Sequence, residues 1–268
     1  MLISALNDYY DILLEKSKRS TDLKSTIAPE GMSVQGVTHR IMLNKDGSVD
    51  SIEDIQLERI EAAGKKEKKF YDPRYIFLPR RTQKTAIDLN IIEHRPLYIF
   101  GLNYDSKTGI FSPDDSKNRA KKSHACFVKG NLEFTEGMTS DIVLAYRNFL
   151  KSWDCAAETE NRELVNLGKA YLTANFCFGL AGHPEIALHD IDGEIMTKVK
   201  ALSQDDAKEA DGICAISGKP EKISRIHDKI KDIRGGQSSG GLLVCFNSPA
   251  EESYGKNNHT TAQYPKRL

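Results

Sequence analysis

Hydrophobic periodicity changes three times along this chain, and each change limits what can pack against what. Leu2, Leu6, Tyr9, Tyr10, Leu13 and Leu14 recur near i, i+3, i+4, i+7, the spacing of an amphipathic helix. The polar stretch 17–30 reads as a loop. Residues 34–43 read as a strand, the Asn44-Lys-Asp-Gly47 segment as a turn, and 48–57 as the returning strand of a hairpin. The apolar runs at 75–78 and 96–102 predict two further strands. Helical spacing returns over 114–128, 139–152 and 160–171, with Thr139 or Asp141 as N-cap of the second. Residues 175–202 are mixed, with a turn at Gly182-His-Pro184. From about 211 short strands are predicted again, at 213–216 and 242–246, with a turn at Ser217-Gly-Lys219. The predicted fold class is α+β, with mixed antiparallel sheets and a helical middle segment. Its three stretches are 1–105, 106–210 and 211–268, and the last ends in a tail without periodicity after 247.

The chain has 268 residues, 39% hydrophobic and 28% charged, enough apolar material for a real core. It holds no apolar run of membrane-spanning length, and the N-terminus, with Asp8 and no basic lead-in, does not read as a secretory signal. The five cysteines are odd in number and none sits in a C-x-x-C pair. They read as small buried hydrophobes in a reducing, cytoplasmic setting.

Charge is segregated beneath a formal net of zero. Residues 64–84 hold eight Lys/Arg against Glu67 and Asp72. Residues 117–129 hold Lys117, Arg119, Lys121, Lys122 and Lys129 with no acid. Residues 219–234 hold six bases against Glu221, Asp228 and Asp232. Residues 185–211 hold eight acids against three lysines. A uniformly basic nucleic-acid binder is excluded, and a local phosphate-contacting face is not. Any one such run is more often a solvated surface.

The chemistry-bearing segments are loops. Arg234-Gly-Gly-Gln-Ser-Ser-Gly-Gly241 carries four glycines, which allow close backbone approach and positive φ. No Lys-Ser/Thr follows, so it is not a Walker A loop, and it does not match G-x-G-x-x-G. Lys229, Lys231 and Arg234 lead into it, and Gly236, Gln237, Ser238 and Ser239 form its tip. Two readings stay open: a flexible hairpin loop, or a nucleic-acid contact in which Gln237 meets a base edge while the bases hold phosphates. Arg80, Arg81, Gln83, Lys84 and Thr85, followed by Asn90, form a second such set, against an exposed linking loop as the blander reading. Cys214, Cys245, His227 and His259 lack the paired knuckle of a zinc module, so no metal or cofactor is expected. A one-metal nuclease built on Cys214, His227 and Asp228 would need further ligands. No G-x-S-x-G or H-E-x-x-H occurs, and the chain is expected not to be an enzyme.

Several segments together resemble the large subunit of the type I-C (Dvulg subtype) CRISPR Cascade surveillance complex. They are Leu-Asn-Asp-Tyr-Tyr-Asp-Ile-Leu at 6–13, the hairpin at 34–57, Leu-Pro-Arg-Arg-Thr-Gln-Lys-Thr at 78–85, and Leu-Tyr-Ile-Phe-Gly-Leu at 97–102. The sharpest match runs from Cys-Ala-Ile-Ser-Gly at 214–218 through the segment 223–241 to Val-Cys-Phe-Asn at 244–247 and Glu-Ser-Tyr-Gly-Lys at 252–256. The resemblance implies a non-enzymatic, cytoplasmic subunit in antiviral defence. Such a subunit recognises the protospacer-adjacent motif in double-stranded target DNA, helps open it for CRISPR RNA pairing, assembles with the other type I-C subunits and docks the helicase-nuclease. RNA–DNA pairing then reads the rest of the target. It maps motif contacts to Lys84, Thr85 and Asn90, where this chain reads Lys-Thr-Ala-Ile without the family's glycine. It maps a base-edge or wedge role to Gln237 within Gly236–Gly240. Family chains continue into a helical C-terminal half. The expectation is therefore an N-terminal portion, a truncated or decoy form, or a split subunit.

Overall fold

The computed structural model of the chain describes residues 2–17, 23, 26–29, 31–63, 66–80, 87, 90–113, 119–190, 194–205, 212–213, 218–221, 229–230, 235 and 240–242. They divide into two units, 21–199 in one and 1–20 with 200–268 in the other. The class is α+β, as the periodicity predicts.

The second of these units opens with α1 (Leu2–Ser17), the amphipathic helix expected at the start. The larger unit begins with β1 (Met32–Val37) and β2 (His39–Leu43). Sequence predicts one strand over 34–43, but the chain breaks at Thr38. Asn175 makes the break: its carbonyl accepts from both Thr38 N and His39 N, and its side-chain amide donates to Gly36 O. The two halves therefore join different sheets. β3 (Val49–Asp54) returns along β2 as the predicted hairpin, from His39↔Asp54 to Leu43↔Val49. Its turn places Gly47 at φ +91°, a left-handed conformation that suits glycine.

β4 (Leu57–Ala63) and β5 (Lys66–Asp72) form a two-stranded ribbon that sequence did not suggest. Its strands are rich in charge and alternate without a clean apolar face. Arg59 and Lys68 both stack on Phe70, at 5.0 and 4.9 Å, while Leu57, Ile60 and Tyr71 are each more than half exposed. β6 (Arg74–Pro79) pairs antiparallel with β1.

The apolar run at 96–102 is a helix, α2 (Pro96–Phe100), where a strand was expected. Proline at its start fits the first helical turn, and Gly101 at φ +64° closes it with a bond from its N–H to Leu97 O. β7 (Asn103–Tyr104) and β8 (Phe111–Ser112) make a small hairpin. α3 (Arg119–Phe134) lies several residues beyond the predicted 114–128, whereas α4 (Asp141–Ser152) fills the predicted 139–152. Ser140 occupies the N-cap position of α4, and its hydroxyl donates to Glu194 instead of capping. α5 (Arg162–Leu167) is capped by the Asn161 side chain and continues into a 3₁₀ turn through Leu172.

β9 (Phe176–Leu180) is buried at every position, as a central strand covered on both faces must be. It pairs parallel with β2 and antiparallel with β10 (His183–Ala187), giving the sheet order β10-β9-β2-β3. Tyr146 and Phe149 of α4 rest on Phe178, with ring centroids 4.8 and 5.9 Å apart. Phe100 joins Trp153 and Phe176 at 5.2 and 5.4 Å. Each such buried ring contributes about 1.5–3 kcal/mol. α6 (Glu194–Asp205) follows. Beyond it the described strands are short: β11 (Gly212–Ile213) pairs with β12 (Pro220–Glu221), and β13 (Lys229–Ile230) with β14 (Gly241–Leu242).

Candidate nucleic-acid interface

The first predicted loop leaves the end of β6. Arg80 is exposed, and its backbone N–H donates to Gly31 O at 2.9 Å, which fixes the exit of the chain. Arg81, Gln83, Lys84 and Thr85 lie outside the described residues. The chain is described again at Ile87, packed against the core, and at Asn90.

Asn90 is 4% exposed. Sequence placed it among base-edge contacts, but here it faces the interior. Its side-chain amide donates to Glu93 Oε2 at 3.0 Å. Glu93 is a fully buried carboxylate, and burying one is costly unless it is well paired. It accepts from Arg95 Nη2 at 2.6 Å and, on its other oxygen, from the backbone N–H groups of His94 and Arg95 at 3.0 and 3.2 Å. Burial acts against the Arg95 charge, but the Glu93 carboxylate outweighs it and the guanidinium pKa is raised. The Arg95 guanidinium also stacks 4.3 Å over Tyr98. Burial, with the nearby Glu93 charge, pushes the Tyr146 phenol well above its ordinary range.

Asn131 of α3 ties the same segment from the other side. Its Oδ1 accepts from Ile92 N at 2.7 Å, and its Nδ2 donates to Asn90 O and Phe127 O at 3.0 and 2.8 Å. The stretch leaving the loop is thus held by a buried carboxylate and a buried amide. Sequence reasoning missed Glu93, Arg95 and Asn131, since none belongs to a motif and Glu93 reads as an ordinary surface acid.

The second loop has its base described. β13 and β14 pair antiparallel through Lys229↔Leu242 and Ile230↔Gly241, so 231–240 connects two paired strands. Gly235 and Gly240 have φ +84° and +79°, a conformation that L side chains adopt at a cost. Lys231, Arg234, Gly236, Gln237, Ser238 and Ser239 lie outside the described residues. So do Cys214, His227, Asp228, Cys245 and His259. Among the described residues, no group of three or more His, Cys, Asp or Glu is arranged to hold a metal ion. No helix there is long and apolar enough to cross a membrane.

The basic runs differ once side chains are placed. In the β4–β5 ribbon, Lys69 pairs with Glu58 at 2.7 Å and Arg59 with Asp72 and Glu61. Its positive charge is locally balanced. On α3, Lys121, Lys122 and Lys129 are exposed and form no ion pair with a described residue.

A family model described as CRISPR-associated protein (Cas_Csd1) matches residues 6–265. No curated protein matches the chain.

Proposed function

The chain belongs to the CRISPR-associated family Cas_Csd1, a family of Cascade large subunits, and on that premise we propose that it recognises the protospacer-adjacent motif in duplex DNA. In this reading it is a non-enzymatic subunit of a type I-C complex. It helps open the target for CRISPR RNA pairing, and it works in the cytoplasm beside the other subunits and the helicase-nuclease. The protein reads a short motif and the backbone, and base pairing reads the rest.

The observation that best supports the reading is the anchoring of the Lys84–Thr85 segment. Its exit from β6 is fixed at Arg80, and its return is fixed by Asn90, Glu93 and Asn131. Base-edge contacts need well-placed donors, and the described ends of this segment, at Arg80 and at Asn90, are both tied to a packed body. Asn90 then serves as a positioning residue, while Lys84, Thr85, Arg80, Arg81 and Gln83 are the candidates for contact. Gln237, on a loop closed by β13 and β14, is the second reader, with Lys229, Lys231 and Arg234 on phosphates.

The test is target binding by the complex assembled with CRISPR RNA. Wild type, Lys84→Ala and Gln237→Ala are compared on duplexes with correct or scrambled adjacent motif, at two salt concentrations. Loss of the preference in both variants, with assembly intact, is the expected result. A preference that survives both overturns the assignment of these loops as readers.

A further inference from the structure

α3 carries positive charge where helix energetics disfavour it. Arg119, Lys121 and Lys122 stand in and beside its first turn, which holds no acid, and cations there oppose the helix dipole. The helix has a single acid, Glu133, near its far end. Its buried side is fully used: Ala120, Ser123, His124, Phe127, Gly130, Asn131 and Phe134 face the core. The opposite side presents Lys121, Lys122 and Lys129 to solvent without ion pairs to described residues. Some exposed cations of the same unit are matched, as in Lys69–Glu58 and Lys45–Asp141, and others, such as Lys151 and Lys169, are not matched by a described residue; α3 differs in gathering three unmatched lysines on one face of one helix. A local rule broken without a structural gain marks a functional surface.

We propose that this face of α3 is a sequence-independent contact for the phosphate backbone of a nucleic-acid strand. At 1.5 Å rise per residue, Lys122 and Lys129 stand about 10 Å apart along the axis, about three nucleotide steps of one strand. The same helix holds the return of the 80–92 segment through Asn131, two residues past Lys129. Asn131 does this from the core side of α3, while the lysines stand on its solvent side. The inference deepens the DNA-recognition reading, yet it concerns backbone charge and stands apart from motif choice.

The experiment uses the full chain with two probes of arbitrary sequence, a short duplex DNA and a short single-stranded RNA. Binding is measured between about 50 and 200 mM salt. For wild type, log K falls linearly with log salt. In the Lys121→Gln, Lys122→Gln, Lys129→Gln triple variant, the slope is expected to drop by about 0.9 per lost contact on DNA or about 0.7 on RNA. The arm that changes identifies the strand as target or guide. Lys69→Gln, which removes a cation already paired with Glu58, is expected to change the slope less than Lys129→Gln alone. If the triple variant does not fold, that comparison of single variants carries the test. Unchanged slopes in both arms, or an equal effect of Lys69→Gln, overturn the proposal. Because neither probe contains a motif comparison, this result and the motif-preference result fail independently.

Discussion

Arg95 donates to Glu93 Oε2 at 2.6 Å, and that carboxylate is completely shielded from water. The pair sits at the return of the candidate motif loop, where Asn90 supplies a further donor. Attraction between buried charges roughly offsets what is lost by removing them from water, but stranding one partner is costly. Glu93→Ala leaves Arg95, the Asn90 amide and two backbone N–H groups without their acceptor. Because Arg95 is partly exposed and can be solvated, the expected cost is that of the buried donors left unsatisfied, about 1–3 kcal/mol each, read as a lowered midpoint in chemical denaturation. Glu93→Gln keeps an acceptor oxygen and is expected to cost less. A loss equal in the two variants would mean that the charge, not the acceptor, is what the site needs.

Asn131 predicts a more local effect. Its Oδ1 is the acceptor for Ile92 N–H, and its amide satisfies Asn90 O. Asn131→Leu orphans these groups at about 1–3 kcal/mol each. Hydrogen exchange is expected to speed up at the Ile92 amide more than at Phe178 in the core of β9. Uniform acceleration across both would show that the residue supports the whole core and not this segment.

These two positions show what could be read in advance. The hairpin at 39–54 and α4 follow from turn chemistry and 3.6-residue spacing, both local signals. The break at Thr38 depends on Asn175, 137 residues away, and no window of sequence contains both. The run at 96–102 is too short for periodicity to separate strand from helix, and Pro96 with Gly101 decides it. The β4–β5 ribbon hides because charged residues interrupt both strands and leave no clean alternation of apolar and polar positions. For the site, basic runs are visible in sequence, but whether each lysine is balanced emerges only from the structure, as in the diagonal pair of Glu58 with Lys69.

Gly47 gives a steric prediction. At φ +91°, a Cβ built there would lie 2.2 Å from Phe149 N and 2.4 Å from Asn148 C, and backbone atoms cannot retreat as a flexible side chain can. Positive φ alone costs about 1–2 kcal/mol for a side chain. Gly47→Ala is expected to lower stability by more than that strain alone, whereas Gly182→Ala, also at positive φ but with nothing within 4 Å, loses only the strain. Equal melting temperatures for the two variants would place the β2–β3 turn away from α4.

The pH dependence of stability follows from two histidines. Burial lowers the pKa of His124 below 6.5, although its bond with Tyr98 O works the other way. Burial likewise lowers that of His39, against the charge of Asp54. The unfolded chain then binds protons that the folded chain refuses, so stability rises with pH across this range. Above the ordinary value both states are neutral and the histidines have no effect. As pH falls through about 6.5 toward the depressed folded values, stability is lost, and below those values the loss is complete. Asp46 and Asp105, whose pKa values are lowered by hydrogen bonds, chiefly from Ser48 and from the Lys107 backbone, act in a separate window below about pH 4. The melting temperature is therefore expected to be level between about pH 8 and 7 and to fall between about 6.5 and 5. The His39→Gln, His124→Gln double variant should flatten that fall. An undiminished fall in the double variant would assign it to other groups.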